Sequence, residues 1–196
     1  GDRTPRVGIV ELLAAELSKQ DGLILVERSE VQKVLTEQKL TAAGLATGGA
    51  AVKLGGLLSA DLFAVVEWVR RTRPHDQLWL GGFSFGAYVS LRAAGNLSLG
   101  QLISIAPPVD RYEFSTLHRP ECAWLVVQGD EDDVVSVEAV RAWAARTVPP
   151  PNLVVMNQAG HFFHRRLMDL RGLLKNHVRH QLDKLPGKSG KAPAEK

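Results

Sequence analysis

The stretch "LGGFSFGAY", residues 80–88, sets Ser84 between two glycines, after an apolar run and before a helical pattern. Either the serine is a nucleophile raised on a sharp turn, or the glycines only ease a strand into a helix. The flanking residues bear on the choice. "LWLGGF", residues 78–83, reads as a short buried strand, and from Phe85 to about Ala94 the pattern is that of a helix. Small residues two positions to either side of Ser84 let strand and helix approach, which a strained turn requires. In such a turn the backbone N–H of Phe85 lies at a helix N-terminus and faces the place where negative charge develops on an attacked carbonyl.

Downstream the pattern becomes regular. "LISIA", "WLVVQG" and "NLVVM" read as strands, "VEAVRAWAARTV" as a helix, and "FFHRRLMDLRGLLKNHVRHQLDKL" as a closing helix. Short apolar strands alternating with amphipathic helices indicate an α/β fold, a mostly parallel sheet with helices on both faces. A serine nucleophile needs a base and an acid that orients it. After one strand comes "VVQGDEDDVV", and after the last comes "NQAGHFFH". Both fall at the C-terminal edge of the sheet, where Ser84 also lies. Asp132 is the acid chosen, with Asp130, Asp133 and, on the preceding strand's loop, Asp110 as alternatives. His161 is the base chosen, being the first histidine after the strand; His164 would fall past the loop, on the helix. The acidic run also suits a solvated loop that caps the helix beginning near Ser136. His161-x-x-His164 has the spacing of a metal pair but lacks a third ligand, so no metal is expected. His75, His118, His177 and His180 read as surface residues, and Trp68, Trp79, Trp124 and Trp143 as core.

Upstream, Thr4-Pro5 opens a helix that runs to Gly22. "LILVE", residues 23–27, reads as a buried strand, Ser29 caps a polar helix, and another helix covers residues 61–71. The glycine-rich "GLATGGAAVKLGG" lacks the ending of a phosphate loop and the spacing of a dinucleotide fingerprint, so a flexible connection and no cofactor are expected.

Composition narrows the classes. The 196 residues suit one domain or two small ones, and 45% hydrophobic with 23% charged residues is ordinary for a globular protein. The net charge of +3 is concentrated in the tail after Asp183, which reads as disordered. No basic stripe interleaved with aromatics supports nucleic-acid binding. No apolar run is long enough to span a bilayer. Cys122 is the one cysteine, which excludes an intrachain disulfide and fits a cytoplasmic setting.

From about Ala60 to Asp183 the sequence resembles small bacterial α/β-hydrolases related to dienelactone hydrolase and short-chain carboxylesterases. The resemblance is carried by "DLFAVVEWVRR", "LWLGGFSFGAYVSLRAA", "LISIAPPV", "CAWLVVQGDEDDVV" and "HFFHRRLMDLR". It implies Ser84 as nucleophile on a G-x-S-x-G elbow, Asp132 as acid, His161 as base and Phe85 N–H as an oxyanion donor. The implied activity is that of a serine esterase acting on short-chain carboxylic esters without a cofactor, its partner a small ester. An acyltransferase would use the same triad, and an inactive fusion scaffold would merely retain it.

Residues before Ala60 do not match that pattern. "VELLAAELSKQDGLILVERSEVQKVLTEQKL" and "AVKLGGLLSAD" resemble a segment of the curli-assembly lipoproteins, so the chain looks like a junction of two pieces near Leu58 to Asp61. The expected organisation is an N-terminal segment 1–60, a truncated hydrolase 61–183 and a tail 184–196. "LILVE" would then complete a sheet of about five strands by pairing parallel to residues 78–82. The turn Glu27-Arg28-Ser29 would supply the second oxyanion donor. Residual apolar surface would favour a homodimer with the first helix exchanged between chains.

Overall fold

The computed structural model describes residues 9–25 and 62–185. Contacts divide the chain into two compact units, Gly1–Leu25 with Phe162–Lys196, and Val26–His161. The smaller contains α1 (Ile9–Leu17) and the closing helix α5 (Leu167–Asp183). The larger contains a helix α2 over 62–72, then β1 (Trp79–Phe83), α3 (Phe85–Ala94), β2 (Gln101–Ile105), β3 (Ala123–Gly129), α4 (Val137–Arg146) and β4 (Asn152–Met156).

The four strands form one parallel sheet in the order β1-β2-β3-β4. Register puts Leu80, Leu102 and Trp124 in one row, and with Val126 they form a core with Tyr88 and Leu91 of α3 and Val140 and Trp143 of α4. On the other face Ile103, Ile105, Leu125 and Val127 are buried too. A parallel sheet hidden on both faces requires near-continuous apolar strands, and these strands have them. Trp124 donates its indole N–H to Ser104 Oγ at 3.0 Å, so this buried side chain leaves no polar atom unpaired. Trp68 and Trp79 are only half-buried, unlike the core positions expected of them.

The sheet is smaller than expected. Among the described residues it has four strands rather than about five, and Leu23–Leu25 adopt no strand. Gly22 takes a left-handed φ of 84°, Leu23 N–H donates to Gln20 O, and Ile24 is 57% exposed. Those are the marks of a tight turn over residues 20–23, with Gly22 five residues past the end of α1 and the apolar run after it left at the surface. Val26 and Glu27, the proposed turn through Ser29, the helix capped by Ser29 and the helix start at Thr4-Pro5 lie outside the described residues.

In the smaller unit α5 buries Leu170, Leu174, Val178 and Leu182, one residue per turn. Glu16 of α1, 7% exposed at its side chain, pairs with Arg171 at 2.7 Å, Lys19 at 3.4 Å and Lys175 at 3.8 Å. The hydrogen bond from Arg171 holds its carboxyl below the ordinary value, against the opposing effect of desolvation. His177, read as a surface residue, is half-buried and its Nε2 has no partner among the described residues. Burial lowers its pKa from 6.5, with His180 and Lys184 adding to the effect. The two groups act in sequence on acidification. Below about pH 6.5 the unfolded chain takes up a proton that folded His177 resists, so stability falls. Glu16 adds stability above its unfolded pKa of about 4.5, and this is lost as pH falls through the lower folded value. Thermal melts from pH 8 to pH 3 should show both declines; His177→Leu should remove the first and Glu16→Gln the second.

Candidate active site

Ser84 joins β1 to α3 with φ 51° and ψ −118°, a conformation that L-residues rarely adopt and that costs on the order of 1–3 kcal/mol. Its surroundings enforce the turn. Ser84 N–H donates to Ile105 O at 2.8 Å, extending the β1–β2 ladder by one bond, and Ala87 N–H donates to Ser84 O at 2.9 Å. A Cβ on Gly82 would stand 2.2 Å from the carbonyl oxygen of Gly86 and 2.5 Å from Ala87 N, both backbone atoms that cannot yield. The flanking glycines are not equivalent, however. A Cβ on Gly86 would meet nothing within 4 Å, so the steric requirement expected on both sides holds on one. Gly82→Ala should therefore cost about 3 kcal/mol or more. Gly86→Ala should be neutral or raise stability by up to about 1 kcal/mol. Urea unfolding of the two variants tests the difference, and equal losses would contradict this account of the turn.

The loops after β3 and β4 are tied together at the same edge. Asp130 N–H donates to Met156 O at 3.1 Å and Glu131 N–H to Ala159 O at 3.0 Å. Gly129 permits this, because a Cβ there would fall 2.1 Å from Ala159 O. The paired loops bring Asp132 and His161 together. His161 Nδ1 lies 2.9 Å from Asp132 Oδ2, and its Nε2 lies 3.0 Å from Ser84 Oγ. The imidazole is 4% exposed and the Asp132 side chain is fully buried. Phe83 packs on the ring at a centroid distance of 5.2 Å. Asp132 Oδ1 accepts the N–H groups of Val134 and Val135, each at 2.8 Å, so its carboxylate is fixed from the side opposite the histidine. With a carboxylate on Nδ1, that nitrogen carries the proton and Nε2 is free to accept one from the serine.

A serine, a histidine and an aspartate linked in a row at the C-terminal edge of a parallel sheet can be compared with known proteins. A lid-less α/β serine hydrolase from Xanthomonas campestris superposes with a TM-score of 0.71 at 40% identity, over 93% of this chain and 78% of that one. The chain belongs to the α/β serine hydrolases. An α/β serine hydrolase homologue from Coxiella burnetii agrees, with a TM-score of 0.62 and 37% identity over 77% of each chain. An uncharacterized protein of Rickettsia prowazekii is 26% identical over 128 residues, 60% of this chain and 54% of that protein, so the hydrolase chain spans about half the length of this relative. Residues 5–67 match the family model of the curli production assembly/transport component CsgG.

Of the alternative acids, two accept backbone N–H groups and one is exposed. Asp110 Oδ2 accepts the Ser136 N–H at 3.3 Å, and Asp130 Oδ1 accepts the Ala159 N–H at 3.4 Å. Asp133 is exposed, and Ser136 caps α4 by accepting the Ala139 N–H. His164 lies in the turns before α5 rather than on the helix, stacked on Phe162, because Phe163 takes a left-handed φ of 51° and delays the helix to Leu167. Phe85 is the first residue of α3, as expected, while residues 27–29 lie outside the described residues.

Two residues near the site carry no signal in the motif itself. Arg111 donates through Nε and Nη2 to Val134 O at 3.0 and 2.7 Å, bracing the turn that holds Asp132. Gln128 donates to Asp132 Oδ2 at 2.8 Å and is fully buried. A polar residue next to last in an otherwise apolar strand is the signal that could have found it. Cys122 is buried, and desolvation raises its thiol pKa, which keeps it protonated and unreactive. Among the described residues no helix is long and apolar enough to cross a membrane, and no three His, Cys, Asp or Glu side chains cluster to hold a metal. A depression of about 380 Å³ beside α2, lined by Phe63, Val66, Arg70 and Leu97, includes none of these site residues.

Proposed function

We propose that this hydrolase is a serine esterase for short-chain carboxylic esters. The observation that carries the proposal is the continuous link from Asp132 Oδ2 through both ring nitrogens of His161 to Ser84 Oγ, at 2.9 and 3.0 Å. Ser84 Oγ attacks the acyl carbon while His161 Nε2 takes its proton. The carbonyl π electrons move to oxygen, and the oxyanion is met by the N–H of Phe85 at the start of α3. Asp132 stabilises the imidazolium across Nδ1. His161 then gives its proton to the departing alkoxide, so the C–O bond breaks and an alcohol leaves an acyl-Ser84 ester. A water molecule, deprotonated by the same nitrogen, attacks that ester and releases the carboxylic acid with Ser84 restored. No cofactor enters either half-reaction. Likeness to a lid-less hydrolase supports an open site and small esters rather than long chains.

The test is hydrolysis of p-nitrophenyl acetate, butyrate and octanoate, with product analysis in water and in the presence of alcohol acceptors. Turnover should fall with chain length and yield free acid. Transfer to the alcohol as the main product would make the protein an acyltransferase, and turnover equal to that of Ser84→Ala would leave no enzyme. The CsgG match supports the further proposal that the chain joins two lineages near Leu58 to Asp61. A chain beginning at Ser59 should lose thermal stability, because it lacks Glu16 and its ion pair to Arg171 in α5.

A further inference from the structure

Gln128 occupies a position where apolar residues are expected. It lies on β3 two residues beyond Val126 and four beyond Trp124, hence on the core face of the strand, and it is fully buried. Its amide has an uneven environment. Nε2 lies 2.8 Å from Asp132 Oδ2, 3.3 Å from Val135 O and 3.4 Å from Gly129 O, which are all acceptors. Oε1 has no hydrogen-bond partner among the described residues. Three acceptors on one side fix which end of the amide points there, since a flipped amide would set oxygen against a carboxylate. A buried polar atom without a partner destabilises the fold, which a leucine or methionine here would avoid. Packing alone therefore does not account for glutamine.

The compensating bond goes to one particular atom. Asp132 Oδ2 is the oxygen that accepts from His161 Nδ1. Resting on the esterase mechanism above, we infer that Gln128 is a positioning residue for Asp132. With Val134 and Val135 N–H on Oδ1, its amide holds the carboxylate plane so that Oδ2 stays aimed at the histidine through both half-reactions. All four hydrogen bonds to the carboxylate then come from donors that cannot change protonation state near neutral pH, except the histidine itself.

Two near-isosteric substitutions test this. Gln128→Met removes both the donor and the orphaned oxygen, and Gln128→Glu replaces the donor with a carboxylate beside Asp132. For p-nitrophenyl butyrate hydrolysis, Gln128→Met should melt at or above the wild-type temperature, yet kcat should fall about 10-fold to 100-fold with KM within twofold. Fluorophosphonate labelling of Ser84 should slow in parallel. Gln128→Glu should lose more activity than Gln128→Met at pH 8; should it fail to fold, the methionine variant alone decides. A Gln128→Met enzyme that melts normally and keeps wild-type kcat would overturn the inference. So would a loss of stability with kcat unchanged per folded molecule, which is what a purely structural role gives. Wild-type turnover and labelling no greater than those of Ser84→Ala would overturn the esterase proposal itself, and is distinguishable because the wild type fails first.

Discussion

Ser84→Ala should lower ester turnover by about 10⁴-fold to 10⁶-fold and abolish labelling by fluorophosphonates, with the fold retained. The scale follows from what the hydroxyl does: removing the nucleophile of a linked triad costs nearly as much as removing the whole triad. The same position offers a control on backbone strain. Ser84 sits at φ 51°, where alanine keeps the penalty of a Cβ and glycine does not. Ser84→Gly should be as inactive as Ser84→Ala but more stable by about 1 kcal/mol. Steady-state assays and urea unfolding on both variants measure the two effects separately. Residual activity within about tenfold of wild type in Ser84→Ala would move the nucleophile elsewhere.

Asp132→Asn should lower kcat by about 10⁴-fold, the cost of the wrong histidine tautomer in this kind of triad. The local hydrogen bonds show why so small a change matters. Val134 and Val135 N–H need an acceptor at Oδ1, so the asparagine oxygen goes there and its NH₂ takes the place of Oδ2. Two donors, His161 Nδ1–H and the Gln128 amide, already converge on that place. His161 relieves the conflict by moving its proton to Nε2, where it can no longer accept from Ser84. Asp130→Asn and Asp133→Asn remove no bond to the histidine and should stay within about tenfold of wild type. Kinetics of the three variants side by side check the assignment; an Asp132→Asn enzyme within tenfold would refute it.

Much of this site is legible in the sequence because each part has a local cause. Parallel strands buried on both faces must be apolar runs, and "LWLGGF", "LISIA", "WLVVQG" and "NLVVM" are such runs, found within a residue or two of β1 to β4. Ser84, Asp132 and His161 each follow a strand on the same sheet edge, so order and strand position alone suggest their meeting. What escapes has nonlocal causes. "LILVE" has the composition of a buried strand, but Gly22 turns the chain after α1 and leaves Ile24 in solvent. Gly86 has the look of a steric necessity, while the close approach belongs to Gly82 alone. The start of α5 is displaced by the left-handed backbone of Phe163, which no propensity announces in a phenylalanine. Gln128 and Arg111 act through hydrogen bonds to a loop that forms only once β3 and β4 are paired. His177 shows its burial only after α5 has packed.

The central claim is that the hydroxyl of Ser84 is activated by an imidazole held by Asp132. Intact-protein and peptide mass spectrometry after brief exposure to a fluorophosphonate tests it most directly. One adduct per chain, carried by the peptide containing Ser84, absent from Ser84→Ala and slowed at least 100-fold in His161→Ala, is the predicted result. Unmodified Ser84 in wild-type protein, or labelling that proceeds equally fast without His161, would contradict it.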